Sequence, residues 1–390
     1  MCDIDGSDSG KGTGIKTIPV DKAVGTVLAH DITEIRPGEF KGRAFRKGHV
    51  VRREDVCHLR RLGKENLFVL NLSDDEMHEN DAAYVIAEAL KGGGAAFQGE
   101  PREGKINLIA ERDGILKIDR NALFQFNMTG EVMCATLHNN TIVKKGQVVA
   151  GTRAIPLVVK KTIVKEAVDR VKLSAGNHGS GVIQVLRLRK PRVGIVITGN
   201  EVYYGKIKDA FAPVIEKEVK EYDGEVVGIY YAPDEAPFIE ARLRELIGAG
   251  ADLLITTGGM SVDPDDVTRF AIRNLGAAGI TYGSPVLPGA MFLVAYVDKS
   301  GVRSQESGVS KDEDIHETDN STPGTQHSTL IPILGIPACG MYASKTIFDL
   351  IFPRVLAGEK IGRRELAELG HGGLCLKCDV CRFPVCPFGK

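Results

Sequence analysis

From Pro191 onward, short apolar runs alternate with longer stretches in which apolar residues recur at helical spacing. Arg192-Val-Gly-Ile-Val-Ile197 reads as a buried strand and Ala210 to Tyr222 as a helix. Glu225-Val-Val-Gly-Ile-Tyr-Tyr231 and Ala236 to Ala249 repeat that pair, and Ala251-Asp-Leu-Leu-Ile255 with Val267 to Leu275 repeats it again. Such alternation predicts an α/β unit: a parallel sheet with helices on both faces. Two further strands, Met291 to Val297 and Thr329 to Leu334, and a closing helix, Met341 to Leu356, complete it over residues 191–357. Between those strands, residues 299–328 are nearly all polar and read as an insertion with too few apolar groups to pack.

Upstream the pattern differs. Residues 17–100 read as a small α+β module, with a helix over Glu54 to Leu62, a strand over Asn66 to Leu72 and a helix over Asp75 to Leu90 that Lys91-Gly-Gly-Gly94 ends. Residues 101–190 read as a β-rich module and linker. Gly114 to Asp119, Glu131 to Leu137, Ile142-Val143 and Val148-Val149 suit strands, Lys144-Lys-Gly-Gln147 suits a hairpin turn, and Thr162 to Leu173 suits a helix. Residues 1–16 are rich in Gly, Ser and Asp and read as a disordered tail rather than a signal peptide.

Composition narrows the function classes. The chain has 390 residues, 43% of them apolar, and a net charge of −1. No global basic field marks it for nucleic acid. No apolar run approaches the roughly 18–20 residues of a membrane span. The expectation is a cytoplasmic protein acting on a small molecule.

Chemistry gathers in the loops after the strands. Thr198-Gly-Asn-Glu201 follows the first, Asp234 the second, and Thr256-Thr-Gly-Gly-Met-Ser-Val-Asp-Pro-Asp-Asp266 the third; Pro288-Gly289 precedes the fourth and Gly335 to Gly340 follows the fifth. In an open α/β sheet, ligands bind outside the carboxyl ends of the strands. Gly258 and Gly259 admit a ligand close to the backbone, and amides at a helix start favour anions. Glu201, Asp234, Asp263, Asp265 and Asp266 together suit a Mg²⁺ shared with a substrate phosphate. Taken singly, each acid reads equally well as a helix cap, and Asp265 or Asp266 would cap the helix from Val267.

These motifs resemble the molybdopterin-binding domain family shared by MoeA, the MogA type and gephyrin. Thr198-Gly-Asn-Glu-Val202 matches the MoeA turn T-G-[DN]-E-[LV]. Gly258-Gly-Met-Ser-Val-Asp-Pro-Asp-Asp266 matches G-G-V-S-V-G-x-x-D, and Pro264-Asp-Asp-Val-Thr268 is similar to the MogA-type P-R-D-x-T. Residues 44–72 loosely resemble a further MoeA segment. The resemblance implies a molybdenumtransferase that inserts molybdate into adenylyl-molybdopterin with Mg²⁺, releasing AMP. Asp266, Glu201 and Asp234 would then be the catalytic or metal-holding acids. Thr198, Gly199, Gly258, Gly259, Ser261, Pro288 and Gly289 would bind the pterin cofactor. A homodimer and a molybdoenzyme client are implied on the same ground.

The sequence also departs from the family. Where MoeA carries P-G-K-P this chain has Pro288-Gly-Ala-Met291, and where MoeA carries G-[LI]-P-G-N-P it has Gly335-Ile-Pro-Ala-Cys-Gly340. The MoeA segment S-x-M-D-G-[YF]-A is absent. Pterin binding is therefore the firmer expectation and molybdate insertion the weaker one.

The second concentration of chemistry is the segment 358–390. Cys375, Cys378, Cys381 and Cys386 have the spacing C-x2-C-x2-C-x4-C, with His371 just upstream. Four thiolates so close suit one tetrahedral Zn²⁺ or an iron–sulfur cluster. Free thiols in a flexible tail are the plain alternative. The basic runs Lys160 to Lys165 and Arg187 to Arg192 read as solvated faces.

Three functions stay open at this point. One is a MoeA-like transferase. The second is a non-catalytic carrier or sensor of molybdenum cofactor that acts through a metal-bearing tail. The third is a hydrolase of the CinA type, whose Gly-Gly turn is similar.

Overall fold

A computed structural model of the chain describes residues 15–36, 39–70, 72–174, 181–259, 267–299 and 330–390. The chain divides into two compact units, residues 1–139 with 143–185, and residues 140–142 with 186–390.

Two main apolar cores lie in the described residues of the first unit, with a small cluster of Ala83, Ala87 and Ile106 besides. Val20, Leu28, Ile32, Phe45, Leu59 and Leu67 form the smaller of the two cores. It is built from the strand Ile15–Pro19 paired antiparallel with Asn66–Leu70, the antiparallel pair Ile32–Arg36 and Phe40–Phe45, and the helix Asp55–Arg61. The larger core includes Ile86, Leu90, Leu108, Phe126 and Val149. The helix Glu79–Leu90 contributes to this second core, so packing changes hands near residues 70–76 rather than near residue 100. The Gly92–Gly94 run ends the helix without ending the module, because Lys91 bridges to Ile183.

A four-stranded antiparallel sheet in the order Ala95–Phe97, Lys105–Ala110, Val148–Ala154, Val132–Thr136 carries this core. A helix over Arg120–Asn127, unexpected from its polar composition, starts where the Asp119 carboxylate accepts the Ala122 amide at 2.9 Å and buries Ala122 and Phe126 on one face.

The second unit is the predicted α/β fold. Its strands are β1 (Arg192–Thr198), β2 (Glu225–Ala232), β3 (Leu253–Thr257), β4 (Ala278–Tyr282), β5 (Leu293–Asp298) and β6 (Leu330–Ile336). The sheet order is β2-β1-β3-β6-β5-β4. The four strands β2, β1, β3 and β6 are parallel, as the alternation implied. β5 and β4 extend the sheet antiparallel, and β4 is an edge strand with little apolar content that the pattern did not reveal.

Helices α1 (Asn200–Tyr203), α2 (Phe211–Glu221), α3 (Ala236–Gly248), α4 (Thr268–Asn274), α5 (Ile347–Leu356) and α6 (Arg363–Ala367) accompany the sheet. Alternate side chains of a strand point to opposite faces. Val193, Ile195 and Ile197 accordingly pack with α2 and α5, while Val196 packs with α3 and α4. α5 is buried almost all round, which marks it as a central helix. It begins at Ile347, later than expected, because Thr346 and Asp349 form a capping box there.

Residues 358–390 pack within this unit. Phe388 is 3% exposed inside the same core as α5, and Cys375, Phe383 and Cys386 pack against it. Among the described residues, no helix is long and apolar enough to cross a membrane.

Candidate functional site

Strand direction puts the predicted loops along one edge. Ile197 pairs with Thr257 and Thr257 with Ile336, so β1, β3 and β6 end level. Leu293, at the start of the antiparallel β5, lies beside Gly335 near the end of β6. The turns that follow β1, β2, β3 and β6, and the turn that precedes β5, therefore share this edge.

The turn after β1 is tied to its neighbours on both sides. On the β2 side, the Asn200 amide donates to Asp234 Oδ2 at 2.9 Å and the Asp234 amide donates to Asn200 Oδ1 at 3.2 Å. On the β3 side, the Thr198 hydroxyl donates to the Thr257 carbonyl at 2.6 Å and lies 3.2 Å from the Thr268 hydroxyl. Thr198 is buried, so its hydroxyl is committed to bracing the turn from inside. Glu201, on the first turn of α1, is exposed and folds back over Gly199. A Cβ on Gly199 would sit 2.8 Å from Glu201 Oε1, and its φ of +135° suits glycine.

Gly258 and Gly259 open the turn after β3 with φ of +73° and +55°. A Cβ on Gly258 would sit 2.5 Å from the Thr198 carbonyl oxygen, and one on Gly259 would sit 2.3 Å from Thr268 Oγ1. Both positions thus require glycine for conformation and for space. The hydroxyls of Thr256 and Thr257 are buried and have no hydrogen-bond partner among the described residues. Such groups are costly unless something satisfies them. Ser261, Asp263, Asp265 and Asp266 lie outside the described residues, as do 1–14 of the predicted tail and most of the predicted insertion.

On the other flank, Gly289 is buried rather than open. A Cβ there would sit 2.4 Å from Ile347, and the Ile347 amide donates to the Pro288 carbonyl at 3.2 Å. The Pro288-Gly289 turn therefore seats the start of α5 as well as bordering the edge.

Beside this turn is a cavity of about 720 Å³ that sequence reasoning missed. It is lined by Leu287 to Met291, Pro337 to Cys339 and Tyr342 to Lys345, together with Leu374 to Cys378, Cys381 to Phe383 and Cys386 to Phe388. It exists because residues 373–375 run alongside Leu287. The Leu287 amide donates to the Gly373 carbonyl and the Cys375 amide to the Leu287 carbonyl, each at 2.8 Å. Lys345 lines it while bonded to Asp349 at 2.5 Å and Glu218 at 3.2 Å. Burial works against the Lys345 charge, but the two acids outweigh it and hold its pKa above the usual lysine value. Among the described residues, no three His, Cys, Asp or Glu side chains are gathered closely enough to hold a metal ion, the four tail cysteines included.

The architecture is a mostly parallel α/β sheet, a fold in which ligands bind outside the carboxyl ends of the strands. Comparison with known families makes this specific. The profile of the family described as "Probable molybdopterin binding domain" matches residues 194–357. A second profile, described as a domain of unknown function, matches residues 17–71, the segment that builds the smaller core.

Among curated relatives, a CinA-like protein of Mycobacterium avium (strain 104) is 42% identical over 89 residues, 22% of this chain and 20% of the relative. A CinA-like protein of Mycobacterium tuberculosis (strain ATCC 25177 / H37Ra) is 40% identical over 77 residues, 20% of this chain and 18% of the relative. The chain thus spans about a fifth of the length of these relatives. These relatives are of the CinA type, the third of the similarities read from the sequence.

Among solved structures, the tungsten cofactor synthesizing protein MoaB of Pyrococcus furiosus is similar at 15% identity and a TM-score of 0.29, over 44% of this chain and 97% of that one. The molybdopterin biosynthesis MoeA protein of Pyrococcus horikosii is similar at 15% identity and a TM-score of 0.28, over 90% of this chain and 75% of that one.

Proposed function

We propose that this protein binds molybdopterin or its adenylate at the carboxyl edge of the second unit and takes part in making molybdenum cofactor. The observation that carries this reading is the Gly258-Gly259 turn, seated against Thr198 and Thr268 within a segment matched by the molybdopterin-binding family. Backbone amides at such a turn receive phosphate oxygens. Mg²⁺ shared with substrate phosphates needs only one or two protein carboxylates. Glu201 and Asp234, at adjoining strand ends, meet that need, with Asp266 as the leading functional acid by register of the motif. A cation held by these acids would supply charge neutralisation for the phosphates while water adds across the phosphoanhydride, so that one phosphorus gains the water oxygen, the bridging oxygen leaves, and AMP and the pterin phosphate separate. Glu201 and Asp234 would position the cation, and the glycine turn would fix the pterin phosphate.

The test supplies adenylyl-molybdopterin, Mg²⁺ and molybdate and measures AMP release and active cofactor. Turnover that disappears in Asp266→Asn, with an unchanged circular dichroism spectrum, supports a transferase. Tight pterin binding without AMP release points instead to a carrier, a reading favoured by Ala290 standing where MoeA has lysine. Hydrolysis of an ordinary dinucleotide with no affinity for pterin would replace both readings with a CinA-type activity.

A further inference from the structure

Five of the eight cysteines, Cys339, Cys375, Cys378, Cys381 and Cys386, line the cavity beside the Pro288-Gly289 turn. Lys345, Lys377 and Arg382 line it too, and among the described residues no carboxylate does. The wall that carries four of these thiols is an irregular loop. Both its ends are fastened: at the start by the paired bonds between Leu287 and residues 373–375, and at the end by the Gly389 amide, which donates to the Gly372 carbonyl at 2.9 Å. Phe388 is driven into the α5 core, and Phe383 meets it edge-on at 6.2 Å.

Within that closed loop little apolar burial supports the backbone. Leu376, Val380 and Val385 are 68%, 72% and 85% exposed. Lys377, between the first two cysteines, holds a left-handed φ of +51°, an uncommon conformation for a residue with a side chain. Short segments without a core of their own are commonly held by disulfides or a metal, and the described cysteines form no disulfide.

We infer that Cys375, Cys378, Cys381 and Cys386 form a thiolate-liganded metal centre, zinc or iron–sulfur, that closes this loop over the cavity. The four thiols line one cavity but are not gathered closely enough there to share an ion. Metal binding draws them in, each thiol giving its proton to solvent, so that binding and local folding are one event. Four thiolates around one Zn²⁺ leave a net negative charge, which Lys377 and Arg382 lie beside the loop to offset. Cys339 stands apart from the set: it belongs to the turn after β6, and burial pushes its thiol pKa up. His371 does not line the cavity. The centre does not depend on the molybdopterin reading.

The full chain, purified without oxygen, is assayed for zinc and iron and by absorption spectroscopy, then stripped with chelator and titrated with Co²⁺. The expected result is about one zinc, or one cluster with visible absorption, per chain, and sulfur-to-cobalt charge-transfer absorption in the stripped protein. Cys378→Ser/Cys381→Ser should lose the metal and the cobalt signal by at least about tenfold in affinity, whereas Cys339→Ser should retain both. Because Cys378 and Cys381 are exposed, the double variant should lose the loop's metal-bound form while the α/β sheet stays folded, checked by circular dichroism. Protein without metal that also gives no thiolate cobalt spectrum, or equal metal in wild type and double variant, overturns the inference. Metal present with no pterin affinity would sink the proposed function and leave this one standing.

Discussion

Asn200 and Asp234 exchange a reciprocal pair of hydrogen bonds, amide to carboxylate and amide to side-chain oxygen, that locks the turn after β1 to the turn after β2. Asp234 thus has a structural duty as well as a proposed charge. Asp234→Asn preserves an oxygen for the Asn200 amide and should leave thermal stability nearly unchanged. Asp234→Ala should cost about 1 kcal/mol. If the charge matters for the cation, both variants lose turnover alike. Activity retained in Asp234→Asn alone would reduce the residue to its bracing role.

The glycine turn admits a sharper test. Gly259→Ala places a Cβ at a left-handed φ and 2.3 Å from Thr268 Oγ1. The conformation alone costs about 1–2 kcal/mol, and displacing Thr268 also disturbs its contact with Thr198. The melting temperature should fall and co-purifying pterin should disappear. A variant with native stability and native ligand content would remove the turn from the site.

Stability of the first unit should depend on pH through Glu79. This carboxyl is 6% exposed, and burial, reinforced by the charge of Glu103 against that of Arg153, pushes its pKa up to about 7 from the usual 4.5. A raised folded-state value means that the folded protein holds its proton longer than the unfolded chain does. The associated stability is full below about pH 4.5 and is lost as pH rises through about 7. Glu79→Gln stays neutral, so it should melt higher than the wild type at pH 8, with the gap closing towards pH 4.5. An equal gap at both values would contradict the assignment.

Phe388 should be the anchor of the cysteine loop. Phe388→Ala removes a side chain buried in the α5 core and should cost about 3 kcal/mol. Because the loop can release without unfolding the sheet, the first sign should be faster proteolysis after residue 372. Global melting should shift less than that figure suggests. A protease pattern identical to the wild type would mean that the backbone bonds at Leu287 and Gly372 suffice.

The α/β unit was legible because its strands are buried on both faces and read as continuous apolar runs, and because chain direction then decides which loops share an edge. That reasoning put the turns that carry Glu201, Asp234, Gly258 and Gly259 along one edge, as the strand register has them. It could not find β4, whose Ala-Gly-Ile-Thr-Tyr sequence is mostly half-exposed. Nor could it find the helix Arg120–Asn127, which buries only two side chains. It assigned Thr198 and Gly289 to the ligand from motif alone, whereas Thr198 braces the turn and Gly289 seats Ile347. The cavity was invisible for another reason. It depends on Leu374 bridging to Leu287, a long-range backbone contact that no local pattern encodes.

Asp298 pairs with Leu330 at the far end of the β5–β6 pair, so the polar insertion leaves and rejoins the sheet at the edge opposite the glycine turns. Lengthening such a connection costs little, since closure entropy grows only with the logarithm of loop length. A reporter joined between Asp298 and Leu330 would therefore enter the chain at the end of the sheet away from the turns, where at Gly258 and Gly259 even a methyl group is excluded, and would watch the site from a distance.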